Sequence, residues 1–185
     1  MKRFTAVLII CCLAVSVPAQ GEWVADSGDK LQVRAEKAIA AFREQVTRTE
    51  MYFEQAYAYA IFPSVTRIGF GFGGAYGKGI VIEGNTVIGM TKYSQFTSGI
   101  QAGARNFSMI VFFKDQQALE SYKTSRTQFT GQSGLALGTM GIAGTPAYNQ
   151  GVAMVTLTKF GIMGEFTISG ARFSFKEALL AEPGM

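Results

Sequence analysis

A chain of 185 residues is long enough for one domain with a substantial core and not comfortably long enough for two. Its composition, 48% hydrophobic against 16% charged with 22 glycines and 15 phenylalanines, excludes an intrinsically disordered protein and points to closely packed, turn-rich β structure. A formal net charge of +4 is too modest to mark a nucleic-acid binder by charge.

Residues 1–19 have the pattern of a secretory signal. Lys2 and Arg3 form the charged start, residues 4–17 an apolar run, and Val17, Pro18 and Ala19 bring small residues for cleavage after Ala19. The run is too short to span a bilayer, with a retained anchor as the alternative. A periplasmic or secreted location follows as the expectation. Cys11 and Cys12 lie inside the apolar run, and neither follows the small residue that a bacterial lipoprotein signal places before its acylated cysteine. Without residues 1–19 the chain has neither cysteine nor histidine. Disulfides, the usual zinc ligand sets, the Ser/His/Asp and Cys/His triads and histidine-ligated haem are then excluded. No cofactor is implied, and only carboxylate, lysine, tyrosine or hydroxyl chemistry remains. Removing Lys2 and Arg3 leaves fifteen bases against thirteen acids, a net of about +2.

Residues 20–55 form an N-terminal amphipathic helical segment. The period of Leu31, Ala35, Ala38, Phe42 and Val46 predicts a helix over 26–50, with Asp26, Ser27 or Asp29 as its N-cap. Lys30, Arg34 and Lys37 on its sides are candidates for contact with anionic headgroups. Six acids from Asp26 to Glu54 offset its five bases, so a packed helix with a solvated charged face stands beside the membrane-surface reading. A second helix is predicted over 52–61 and should bury Phe53, Ala56, Tyr57 and Ala60. Pro63 should end it.

From Ile68 onward bulky and bare positions alternate at strand period: Ile68, Phe70 and Phe72 point one way, Gly69, Gly71 and Gly73 the other. Alternate glycines weaken a strand unless something approaches closely, with packing ahead of a ligand as the reason. Gly69, Gly71 and Gly74 fit GxGxxG, but they sit inside a strand pattern and no acid follows twenty positions on, so the dinucleotide reading is rejected. Gly77-Lys78 is no phosphate loop, because Phe72 stands where its first glycine belongs and Gly79 where its hydroxyl belongs.

Beyond this, short strands are predicted at 80–83 and 86–90 about a Gly84-Asn85 hairpin, at 93–96, 99–104 and 108–113, followed by an Asp115-capped helix over 116–123. Residues 131–147, punctuated by glycine, are expected to be a loop or weak strands. Three strands are predicted at 151–158, 162–169 and 172–175, with turns at Lys159-Phe160-Gly161 and Gly170-Ala171. The whole predicts an α+β fold: N-terminal helices and a short central helix packed on an antiparallel sheet, barrel-like or sandwiched.

Three runs, IFPSVTRIGFGFGGAYGKGIV, SGIQAGARNFSMIVFFKDQQALESY and LTKFGIMGEFTISGARFSF, resemble the SYLF (Ysc84-like) domain family in that family's order. The resemblance assigns residues 56–185 to such a domain. It implies a lipid-binding module, for phospholipid or phosphoinositide headgroups, and not an enzyme. Actin binding, known among fungal relatives, does not carry over to an exported protein.

The charge distribution gives a site. Between Gln55 and Lys114 the bases Arg67, Lys78, Lys92, Arg105 and Lys114 face Glu83 as the sole acid, which would suit an acidic membrane surface if strands bring them together. Scattered solubilising charges are the bland counterpart. Tyr76, Tyr93, Phe96 and Phe107 are the aromatic candidates beside them. An outer-membrane-associated barrel and a carboxylate enzyme built on Glu83 and Glu165 are the competing classes.

Overall fold

The computed structural model describes residues 23–46, 49–124, 128–130, 148 and 151–178. The signal-like residues 1–19 and the glycine-rich 131–147 lie outside them.

Asp29 starts the first helix. Its Oδ1 accepts from the backbone N–H of Leu31 at 2.7 Å and of Gln32 at 3.3 Å, satisfying donors a helix cannot satisfy itself. Helix α1 runs Lys30–Gln45, shorter at both ends than the predicted 26–50, and α2 covers Thr49–Gln55. Ala35, Ala38, Phe42 and Val46 are buried as the helical period requires, joined by Ile39. Arg43 ties the two helices together through Glu50 at 3.2 Å.

Where the sequence predicts many short strands, the structure has three long ones. Strand β1 is Ala58–Glu83 and β2 is Thr86–Phe113, joined at Gly84-Asn85 with Gly84 at φ 57°. Helix α3, Gln116–Thr124, follows, capped by Asp115, whose Oδ1 accepts from the Ala118 N–H at 2.8 Å. A short β3, Gln128–Thr130, precedes β4, Val152–Glu177. The three predicted C-terminal strands are therefore one, and neither Lys159-Phe160-Gly161 nor Gly170-Ala171 is a turn. Partner strands explain it: β2 offers β4 a ladder from Gly89 to Phe113, and those bonds hold the glycines extended. Pro63 lies inside β1 instead of ending a helix. It is tolerated there because β1 is an edge strand and its ladder is irregular between Phe62 and Val65.

The sheet order is β1-β2-β4-β3 with every pair antiparallel, so the α+β prediction is borne out. Among the described residues the ladder does not close into a barrel, but it rolls. A Cβ on Gly79 would fall 2.4 Å from the Ile61 carbonyl oxygen, and one on Gly77 would fall 2.7 Å from Val65 Cγ2. The two halves of β1 thus meet, and the turn of the roll lies midway, at Phe70 and Gly71. There the β1–β2 ladder shifts register and Gly71 takes φ 70°.

Rolling gives the sheet an inside and an outside. Inside, Phe62 from the first half of β1 meets Tyr93 and Phe173 at 6.2 and 5.9 Å between ring centroids, and α3 closes the space with Leu119 and Tyr122. Outside, α1 and α2 cover Ile61, Ile80, Ile82, Ile110, Phe112 and Val155 with Phe42, Ile39 and Tyr52. No helix among the described residues is long and apolar enough to cross a membrane.

Candidate functional site

The helices cover only part of the outer face. From Lys78 back to Ile68 it is bare, because β-alternation continues to send side chains outward and Lys78, Tyr76, Phe72, Phe70 and Ile68 are exposed. Lys78 and Lys92 oppose each other on one rung, with Ser174 beyond, and all three are exposed. On the neighbouring rungs of the same face Tyr76, Ser94 and Arg172 form one row, while Met90 and Lys176 extend the other. Arg172 and Lys176 stand diagonally across from Lys92, at the spacing where long side chains reach one another. None of these rungs carries an acid on this face. Among the described residues, four cations therefore share a surface whose rungs hold no acid to neutralise them.

The aromatic side of the surface continues from it. Phe96 is 65% exposed, Phe72 68%, Ile68 60% and Phe70 88%, all at the outer turn of the roll. Phe72 and Phe96 stack at 6.5 Å between centroids, so the rings form a patch rather than separate protrusions. Tyr76, 50% exposed, joins this patch to the cations, while Met90, also 50% exposed, lies beyond them. Large apolar side chains left in water forgo roughly 1.5–3 kcal/mol each, so a contiguous group of them calls for something to cover it.

The expected site residues divide. Lys78, Lys92 and Tyr76 come together as anticipated. Arg67 does not join them: it is only 4% exposed, on the glycine side of β1. Arg105 opposes it on the same rung, half-buried, with its guanidinium 5.2 Å from the centre of the Phe107 ring. The reason is parity. Irregular pairing at Pro63 and Ser64 sets which residues of β1 turn inward, and Arg67 follows Val65 into the roll. Tyr93 and Phe107 are core, and Lys114 is exposed beside the start of α3. Glu83 ends β1 and accepts a hydrogen bond from Tyr57, which raises the Tyr57 phenol above its ordinary range. Glu165 is in β4 opposite Gln101.

Lys30, Arg34 and Lys37 lie along one side of α1. Arg34 and Lys37 line a cleft of about 480 Å³ between that helix and the sheet, with Lys159, Ser108 and Leu157 opposite; Lys30 stays outside it. Arg172, Lys176 and Lys159 are the site residues the sequence reading did not single out. For the first two a signal existed in Arg172-Phe173-Ser174-Phe175-Lys176, where charge and ring alternate at strand period.

An α+β protein with a rolled antiparallel sheet and a basic, aromatic-edged outer face is the class these features define. No family model matches the chain. Among proteins similar to it is Beta cell expansion factor A from Aeromonas veronii, 25% identical over 138 residues, which are 73% of this chain and 51% of that protein. The chain thus spans about half the length of that relative.

Proposed function

We propose that this protein is a non-enzymatic lipid-binding module that docks on acidic membrane surfaces in the cell envelope or outside the cell, with a SYLF-type domain as its working part. The observation that carries the reading is the continuity of the outer face: Lys78, Lys92, Arg172 and Lys176 run without an acid into the exposed rings of Phe96, Phe72 and Phe70. Each half suits one half of a phospholipid layer. Cations near an acidic surface gain on the order of 1 kcal/mol apiece, and rings at the turn of the roll can sink into the headgroup region. Acidic phospholipid is the partner this chemistry selects, without nucleic acid and without a cofactor.

Co-sedimentation with vesicles tests it. Binding to phosphatidylglycerol vesicles should exceed binding to phosphatidylcholine vesicles and weaken as salt rises, since screening shortens the reach of exposed charges. Equal binding to both, or to neither, contradicts the proposal.

A further inference from the structure

The cleft under α1 has a construction of its own. Two ladder irregularities fall on the rung of Phe107, which pairs with Val65 on one side and Thr158 on the other. On β1 the pairing skips Pro63 and Ser64; on β4 it skips Lys159. A bulge re-aims the side chain it carries, and this one turns Lys159 into the cleft. The freed Pro63 carbonyl accepts from Lys159 Nζ at 2.6 Å and from Ser108 Oγ at 2.9 Å. That fixes the ammonium and leaves two of its three N–H groups over, with no described protein acceptor for them.

From the other side α1 brings Arg34 and Lys37, and its Ala38 and Ala41 keep the space open. Three cations therefore converge on one cleft that no Asp or Glu lines. Burial first, and the nearby Arg34 second, hold the Lys159 ammonium below the usual lysine range. Mutual repulsion and lost hydration are costs that an anion in the cleft would reverse.

We propose that this cleft is a discrete binding site for a phosphate group, gripped by Lys159, Arg34 and Lys37. Arg34 supplies a planar fork that matches two oxygens of a phosphate, and the two lysines supply point charges. The site shares no residue with the outer face and does not depend on the membrane reading. A phosphate could reach it as a free ion or as the monoester headgroup of a lipid.

Titration calorimetry on the full chain with inorganic phosphate, at ionic strength held constant with chloride, should give saturable binding. Lys159→Gln and Arg34→Gln should each weaken it roughly tenfold, the loss of one charge-assisted contact. Lys92→Gln, on the outer face, should leave it unchanged while reducing vesicle binding, which separates failure of this site from failure of the docking surface. Vesicles of phosphatidic acid and of phosphatidylglycerol at equal surface charge identify the source. If the phosphate belongs to a lipid, phosphatidic acid is preferred, Lys159→Gln abolishes the preference and free phosphate competes. If it is a soluble ion, phosphate binds and the vesicles are not distinguished. Should either variant melt early, Lys37→Gln, on the helix surface, carries the same expectation. The proposal is overturned if neither phosphate nor a phosphatidic acid preference registers, or if well-folded variants bind as the wild type does.

Discussion

The two faces of β1 share one strand and meet opposite demands. On the inner face, Gly69, Gly71, Gly73, Gly77 and Gly79 surround a single alanine, Ala75; on the outer face Ile68, Phe70, Phe72, Tyr76 and Lys78 carry almost all the bulk. At Gly77 and Gly79 the side chain vanishes where the rolled strand approaches itself, and on the other face side chains grow where no element covers it. Conformation and contact are thus settled on one side of the strand, and the other side is left to meet something external. The difference argues that the exposed rings are not core that failed to be covered, because the same strand buries Phe62, Val65 and Val81 completely.

The inner face is the easier half of that contrast to break, and it should give the largest effect. Gly79→Ala puts a methyl against a backbone carbonyl that cannot swing away, so urea denaturation should show a loss of about 3 kcal/mol or no cooperative fold at all. Gly71→Ala, by comparison, meets nothing within 4 Å and only strains a φ of +70°, for about 1 kcal/mol. Equal losses at the two positions would mean that the halves of β1 do not meet.

The outer face should respond in function and not in stability. Replacing Lys78 and Lys92 together by Gln should cost about 2 kcal/mol of affinity for phosphatidylglycerol vesicles and flatten the salt dependence, with the urea midpoint unmoved. Phe70→Ser combined with Phe72→Ser should lower vesicle affinity by at least 1.5 kcal/mol or so and leave the fold intact, since those rings bury little within the protein. A fall in stability in either double variant would place the residues in the core instead. An effect as small as that of Gly71→Ala belongs to Tyr122, whose hydroxyl shares a hydrogen bond with Thr91 and whose burial drives its phenol well above the ordinary tyrosine range. Tyr122→Phe should cost only about 1 kcal/mol, because Thr91 keeps the Ser174 carbonyl as a partner.

Much of this was legible in local chemistry. Asp29 and Asp115 as caps, the Gly84-Asn85 hairpin and the alternation of Ile68, Phe70 and Phe72 with glycine each depend on neighbours a few positions away, and each appears where the pattern puts it. What escaped depends on partners far along the chain. In isolation Pro63 ends a helix and Gly161 and Gly170 mark turns, but all three lie within strands that have a full-length partner in β2. Nearness in sequence groups Arg67 with Lys78 and Lys92, but inside or outside is decided by the skipped pairing at Pro63. By its neighbours Lys159 belongs to a turn and in the sheet it is a bulge, a distinction that exists only once β2 runs alongside.

The outer face meeting a lipid layer is the central claim, and a tryptophan placed at its most exposed ring tests it directly. Trp23 is the chain's one tryptophan and is buried against the helices, so it serves as an internal reference. Phe70→Trp, mixed with phosphatidylglycerol vesicles whose acyl chains carry bromine, should shift its emission to the blue and be quenched, while wild-type emission from Trp23 stays as it is. Unchanged emission from Phe70→Trp under conditions where the protein sediments with those vesicles would contradict the account.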